Sequence, residues 1–193
     1  MSYSLLAKKL RLPLGFVLGI GYLLLAPGSA SPEGLTVGAI VALVGVFVRG
    51  WAAGHIVKNK QLATTGPYAH TRNPLYFGSF LIGAGFAIAA HVSLILVVVA
   101  FWLFVYAPTM GREREGMRSR FPEDYGHYER NVPMFFPRLT PWSGPPGSAP
   151  DAREPWSLSL YMRHGEWRAA LVYVLAIGWL WYFMEHPLPW GRQ

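Results

Sequence analysis

Long apolar runs separated by short polar segments dominate the pattern of this 193-residue chain. The runs cover residues 12–26, 35–53, 75–107 and 169–184. A helix needs about 20 residues to cross a hydrocarbon core of about 30 Å, and the third run is too long for one crossing. We predict that this third run forms a hairpin of two helices that turns near His91. The pattern therefore predicts an all-α integral membrane protein with about five transmembrane helices.

The first apolar run has two interpretations. It follows Lys8, Lys9 and Arg11 and precedes the small residues 28–30, an arrangement that is also typical of a secretory signal with a cleavage site. Because further membrane segments follow, we interpret the run as a short or tilted first span.

The segment between the second and third runs is polar and rich in turn signals. Gly66-Pro67 and Asn73-Pro74 are turn dipeptides, and a residue before proline is pushed out of the helical region. Irregular backbone beside a membrane is tolerated where protein buries it or water reaches it, which favours a pocket. Arg72 would need a carboxylate, a phosphate or a ligand there. The alternative is a loop whose arginine is anchored among the headgroups.

The chain after the hairpin predicts a helix outside the membrane and then a linker. Phe121-Pro122 followed by two acidic residues is typical of a helix start. Phe121, Tyr125, Tyr128 and Val132 recur at helical spacing and form one apolar face. The proline-rich residues 137–155 predict a linker, and residues 156–167 predict a segment at the membrane interface. We divide the chain into N-terminal membrane helices (1–50), a core (51–138) and a C-terminal part (139–193).

The charge distribution predicts how the spans are oriented. The chain is 52% hydrophobic, has a mean hydropathy of +0.26 and carries a net charge of +7. With five crossings and a cytoplasmic N-terminus, every Lys and Arg except Arg192 falls on the cytoplasmic side, as the positive-inside rule requires. The membrane therefore accounts for the charge, and we expect no nucleic-acid partner. The chain has no cysteine, which excludes disulfides and thiolate metal ligands.

Two motifs together resemble a known family. The motif Gly66-Pro67-Tyr68-x3-Arg72-Asn73-Pro74-x-Tyr76 precedes the hairpin, and Glu113-x3-Met117-x3-Phe121-x3-Tyr125-x2-Tyr128-x3-Val132-Pro133-x3-Pro137 follows it. In this order they resemble the isoprenylcysteine carboxyl methyltransferase family, which is related to phospholipid N-methyltransferases, over roughly residues 51–138. The resemblance implies a lipid or prenylated substrate and S-adenosyl-L-methionine (SAM) in a cytoplasm-facing pocket between the motifs. It implies cofactor contacts at Lys60, Gln61, Leu62, Ala63, Tyr68, Asn73, Pro74, Leu75, Tyr76 and Glu113.

The same resemblance implies catalytic and substrate-binding positions, and the chain departs from some of them. We expect catalytic roles for Arg72, Arg112 and Glu113, substrate contacts from Tyr125, Tyr128 and His55, and no metal site. The family's usual Arg-His-Pro is here Arg72-Asn73-Pro74, and its Glu-Glu pair is Glu113-Arg114. The family's substrate-facing arginine is replaced by Thr109, which leaves Arg112 as the nearest arginine.

Three functions remain open at this point. The first is SAM-dependent methylation of the carboxylate of a prenylated cysteine or a similar lipophilic acid, which needs a cation but no general base. The second is methylation of a lipid amine or another small hydrophobic acceptor. An amine would need a proton acceptor, for which Glu113, Glu115 and His55 are candidates. The third is a membrane scaffold with a degenerate site.

Overall fold

A computed structural model describes residues 3–26, 30–56, 62–144 and 155–186 and shows helices and no strand within these ranges. The all-α prediction is confirmed. Residues 92–120 form one continuous helical stretch, because a 3₁₀ turn at Val92–Leu94 leads into the helix Ile95–Phe101, and the π-helical residues Trp102–Tyr106 join that helix to Ala107–Arg120. The α-helices are α1 (Tyr3–Leu25), α2 (Pro32–Ala53), α3 (Pro74–Ala90), α4 (Ile95–Phe101), α5 (Ala107–Arg120), α6 (Pro122–Asn131), α7 (Leu158–His164) and α8 (Trp167–Glu185).

Three helical stretches in the described part of the chain are long and apolar enough to cross a membrane: α2, Val92–Arg120 and α8. The apolar helix α3 is shorter, at 17 residues. Helix α1 has sufficient length but contains Lys8, Lys9 and Arg11. The protein is therefore an integral membrane protein by helix length and composition. The count of five crossings and their orientation stay predictions, as does the three-part division of the chain.

The helix ends follow local chemistry. Ser31 caps α2, because its side-chain oxygen accepts a hydrogen bond from the Gly34 amide at 3.0 Å, and Pro32 follows at the first helical position. Helix α3 ends directly before His91, which confirms the predicted turn of the hairpin. Helix α1 begins at Tyr3 rather than near residue 12, since lysine and arginine are good helix formers and the helix runs on through them.

Glycines bring α2 and α3 into close contact along their length. A Cβ atom on Gly38 would lie 2.3 Å from the Gly85 carbonyl oxygen, and one on Gly45 would lie 2.6 Å from the Gly78 carbonyl oxygen. Small residues let helix backbones approach closely and gain van der Waals contact, which is how helices associate in membranes. This pairing is the most extensive in the fold, and it holds the ends of both helices beside the polar segment.

We predict that Gly38→Leu strongly destabilises the protein, because the new side chain meets backbone that cannot move aside. Overpacking typically costs about 1–3 kcal/mol, and we expect the upper end of this range because the clash is with main-chain atoms. Gly21→Leu is the matched control: Gly21 also lies inside a helix, but a Cβ atom there would meet nothing within 4 Å. Thermal unfolding in one detergent measures both variants. Equal melting temperatures for the two would contradict this account of the packing.

Main-chain and side-chain hydrogen bonds join the loop before α3 to the segment after α6. Together they bring the two sequence motifs to one place, although the hairpin separates them along the chain. The bonds run from the Arg72 amide to Pro133 O (2.9 Å), Thr71 Oγ1 to Phe135 O (2.9 Å), Asn73 Nδ2 to Met134 O (2.9 Å), the Arg138 amide to His70 O (3.0 Å) and the Trp142 amide to Ala69 O (3.0 Å).

The predicted apolar face of α6 is confirmed. Tyr125 and Tyr128, together with Val132 just past the helix end, form a buried cluster, against which Leu62 and Trp142 pack. The Tyr128 hydroxyl also donates to the Tyr68 carbonyl oxygen at 2.7 Å. The polar loop before α3 therefore packs against α6. The predicted linker lies partly outside the described residues.

Candidate functional site

A cavity of about 860 Å³ lies between α1, the loop before α3, α3, α5 and α8. Small-molecule sites in proteins commonly occupy about 300–1,000 Å³, so this cavity has room for a cofactor and part of a second ligand. One end, which we call the motif end, is lined by Tyr68, Arg72, Asn73, Tyr76, Glu113 and Tyr125. The other, the apolar end, is lined by Gly15, Gly19, Phe86, Val172 and Ala176.

The structure brings most of the expected site residues to this cavity. Arg72 and both expected substrate tyrosines, Tyr125 and Tyr128, line it. Lys60 and Gln61 lie outside the described residues. The other expected cofactor positions line the cavity, namely Leu62, Ala63, Tyr68, Asn73, Pro74, Leu75, Tyr76 and Glu113. Their roles in binding stay predictions.

Three positions singled out from the sequence are not on the cavity. Arg112 is exposed on α5, and Thr109 is fully buried with its hydroxyl donating to the Val105 carbonyl oxygen at 2.6 Å. His55 lies behind the polar loop, with Nδ1 2.9 Å from the Trp51 carbonyl oxygen. Its ring occupies the space beside Gly66, whose φ of +56° favours glycine. None of the three lines the cavity.

A chain of hydrogen bonds links α1, α3 and α5 at the motif end. The Tyr76 hydroxyl donates to Oε1 of Glu113 at 2.8 Å and accepts from the Arg11 guanidinium. The Arg11 guanidinium carbon also lies 5.5 Å from the centroid of the Tyr76 ring. Sequence reasoning placed Arg11 only among the cations at the start of the first span and missed this contact. The contact could not be expected without knowing that α1 continues N-terminally of its apolar run and so includes Arg11.

Arg72 is held by a carboxylate that sequence reasoning also missed. Nη1 of Arg72 lies 2.7 Å from Oε1 of Glu129, and both side chains are about nine-tenths buried. Arg118 Nε lies 2.7 Å from Oε2 of Glu129, and Arg114 contacts Oε1. Burial opposes ionisation of Glu129, but the hydrogen bonds from these three arginines outweigh it and lower its pKa to about 2. Glu129 therefore stays ionised and fixes the guanidinium of Arg72.

Two polar groups at the motif end are buried without a hydrogen-bond partner among the described residues. They are the hydroxyl of Tyr68 and Nε of Arg72. Burial and then the negative charge of Glu166 raise the pKa of Tyr68, so its hydroxyl is neutral and can donate or accept. A buried polar group without a partner costs about 1–3 kcal/mol, and both residues line the cavity. A polar ligand at this end would supply the missing partners.

A bidentate ion pair between Arg49 and Glu166 joins α2 to the start of α8 at the cavity wall. Nε and Nη2 of Arg49 donate to the two carboxylate oxygens of Glu166 at 2.9 and 2.7 Å. Nη1 of Arg49 donates to the Ser79 hydroxyl at 2.5 Å. Glu166 directly precedes α8, so the pair positions that helix as a wall of the cavity. Sequence reasoning missed it because Glu166 lies beyond the region of the family resemblance.

The charged side chains that line the described part of the cavity are mostly cations. Cations outnumber acids by five to two: Arg11, Arg49, Arg72, Arg114 and Arg120 against Glu113 and Glu166. The cavity therefore favours an anionic group over a cationic one near the motif end. No group of three or more His, Asp and Glu side chains that could hold a metal ion occurs within the described ranges.

Comparison with known proteins gives a family match that includes the first motif and the beginning of the second. The family described as phospholipid methyltransferase matches residues 20–124, more than half of the chain. The protein-S-isoprenylcysteine O-methyltransferase of Schizosaccharomyces pombe is 30% identical over 97 residues, which cover 47% of this chain and 41% of that protein.

Two further relatives carry other names. The nickel-cobalt-cadmium resistance protein NccN of Alcaligenes xylosoxydans xylosoxydans is 34% identical over 110 residues, covering 55% of this chain and 51% of that protein. The cobalt-zinc-cadmium resistance protein CzcN of Cupriavidus metallidurans is 34% identical over 118 residues, covering 59% and 54%. The chain thus spans about half the length of these two curated relatives. No solved structure matches the chain.

Proposed function

The chain belongs to the phospholipid methyltransferase family, and we propose that it methylates a lipophilic carboxylic acid, such as the carboxylate of a prenylated cysteine, with SAM as the methyl donor. One observation carries this proposal: a single cavity joins the polar motif end to an apolar wall built by α1 and α8. Such a cavity fits a reaction between a polar cofactor and a substrate with a hydrocarbon part. In the proposed orientation the motif end faces the cytoplasm.

The residues of the motif end fit SAM, which supplies an activated methyl group on a sulfonium when it is bound. Its hydroxyl, ammonium and carboxylate groups and its adenine need both donors and acceptors. The carboxylate of Glu113 would accept from the ribose hydroxyls or the ammonium. The unpartnered Tyr68 hydroxyl and Arg72 Nε would gain partners, and main-chain groups of Leu62 and Ala63 would pair with the adenine.

The acceptor class follows from charge. A carboxylic acid is ionised near neutral pH and needs no general base, so the protein has only to hold it, align it and exclude water. The excess of arginines on the cavity wall suits this task. An amine acceptor is the second candidate and would need a proton acceptor. Glu113 and Glu166 are available on the wall, but Glu113 already accepts from Tyr76 and Glu166 is paired with Arg49.

The decisive experiment incubates the protein in lipid nanodiscs with methyl-labelled SAM and two acceptors, N-acetyl-S-farnesylcysteine and farnesylamine. We expect label on the acid as a methyl ester, which base releases as methanol, and little label on the amine. Glu115→Gln serves as the active control, since Glu115 is exposed and does not line the cavity. Base-stable label on the amine alone would reassign the acceptor class. Failure of the folded protein to bind SAM would favour a scaffold.

A further inference from the structure

One face of α1 lines the cavity, and it begins with a charged residue and continues with two glycines. Arg11, Gly15, Gly19 and Leu23 follow one another at intervals of four residues, and all four line the cavity. A Cβ atom on either glycine would meet nothing within 4 Å, so the two glycines leave a groove in the helix surface. At about 1.5 Å per residue, this face from Arg11 to Leu23 is about 18 Å long.

The opposite wall of this groove is apolar, and hydrogen bonds join α1 to its neighbours near Leu23. Phe86 of α3 and Val172 and Ala176 of α8 face the cavity. The Tyr22 hydroxyl donates to the Phe86 carbonyl oxygen at 2.6 Å, and the Trp179 indole donates to the Leu23 carbonyl oxygen at 2.9 Å. These two contacts join α1 to α3 and α8 at the Leu23 end of the groove. The groove therefore has the shape and chemistry of a site for one hydrocarbon chain.

Arg11 lies at the junction of the groove and the motif end, where it contacts Tyr76. Within the described ranges no ion pair includes Arg11, and its guanidinium donates to the neutral hydroxyl of Tyr76. Glu113 lies one hydrogen bond further away, beyond that hydroxyl. By contrast, the guanidiniums of Arg49, Arg72 and Arg114 are each paired with a carboxylate. The charge of Arg11 is therefore available to an anion in the cavity.

We propose that Arg11 holds the anionic head of the acceptor and that the groove of Gly15 and Gly19 holds its single hydrocarbon tail. A second observation supports a polar ligand in this cavity: the hydroxyl of the nine-tenths-buried Tyr68, at the motif end where Arg11 also lies, has no partner among the described residues. Arg11, Gly15 and Gly19 precede the family match at residues 20–124. The inference rests on the proposed function for its identification of the ligand as the acceptor.

The test measures binding in nanodiscs of N-acetyl-S-farnesylcysteine and of its neutral carboxamide, without any turnover. Gly19→Leu fills the groove and should weaken binding of both probes by more than about tenfold, because several methylene groups lose their burial. Gly21→Leu places the same side chain on the same helix outside the cavity and should bind both probes like the wild type. Arg11→Gln should remove about tenfold of the preference for the acid over the carboxamide.

A separate titration with S-adenosylhomocysteine distinguishes failure of the groove proposal from failure of the methyltransferase proposal. Gly19→Leu should bind S-adenosylhomocysteine like the wild type. If the wild type binds no S-adenosylhomocysteine but the probes respond as expected, the groove stands and the methyltransferase proposal fails. If S-adenosylhomocysteine binds but Gly19→Leu and Gly21→Leu bind the probes equally, the groove is wrong. An unchanged preference for the acid in Arg11→Gln would remove Arg11 from the site.

Discussion

Glu113→Gln is expected to weaken SAM and S-adenosylhomocysteine binding by more than about tenfold and to abolish methyl transfer, with the helices still folded. Glutamine has the same shape but no negative charge, so it accepts weakly from the ribose hydroxyls and cannot balance the ammonium of the cofactor. Glu113 lines the cavity at the motif end and accepts from the Tyr76 hydroxyl at 2.8 Å. Calorimetry on purified protein measures the affinity, and far-ultraviolet circular dichroism measures the fold.

Two variants separate a direct contact from an indirect one. Glu115→Gln removes the same charge two residues further along α5, from an exposed position away from the cavity, and should leave affinity unchanged. Tyr76→Phe removes the hydroxyl between Arg11 and Glu113 but keeps the ring, and should weaken binding less than Glu113→Gln does. Wild-type affinity in Glu113→Gln would remove this residue from the cofactor site.

Glu129→Gln is expected to destabilise the protein and to impair turnover although Glu129 does not line the cavity. The substitution leaves the guanidinium of Arg72, which is 10% exposed, without its carboxylate. Breaking a fully buried ion pair from one side costs about 3–5 kcal/mol. Here we expect about 2 kcal/mol, because the side chains of Arg114 and Arg118 are 41% and 55% exposed and water solvates them in the variant.

The pH dependence of stability gives this prediction a distinct signature. The folded protein lowers the pKa of Glu129 from 4.5 to about 2. The stabilisation is therefore complete above about pH 4.5 and is lost as the pH falls towards 2. The difference in melting temperature between the wild type and Glu129→Gln should be largest near neutral pH and should narrow below pH 4.5.

Glu115→Gln is again the matched control, since it removes an exposed carboxylate from the neighbouring helix, and its difference from the wild type should stay small at every pH. A gap between the wild type and Glu129→Gln that is constant from pH 7 to pH 3 would show that the arginine cluster does not depend on ionised Glu129. A Glu129→Gln variant with full turnover would show that the position of Arg72 is not critical.

The helices and the joining of the two motifs were predictable from the sequence because both depend on local patterns. Apolar run length predicted α2, α8 and the hairpin that turns before His91, and aromatic spacing predicted the buried face of α6. The hairpin also implied that its two flanking motifs return to the same side. The start of α1 was missed, since a search for apolar residues stops at Lys8, Lys9 and Arg11 although a helix does not.

The partners of Arg49 and Arg11 were decided by the tertiary structure alone. Glu166 pairs with Arg49 across 117 positions of sequence, and Arg11 reaches Tyr76 across 65. Arg112 shows the same limit, because an arginine near a motif in the sequence can still lie away from the cavity. Thr109, which stands where the family has its arginine, does not line the cavity either. The sequence by itself determined an all-α membrane protein with a polar motif end, since the length of each apolar run can be read from consecutive residues. Which arginine meets the acceptor depends on how α1 and α8 pack against the core, and that packing exists only once distant segments meet.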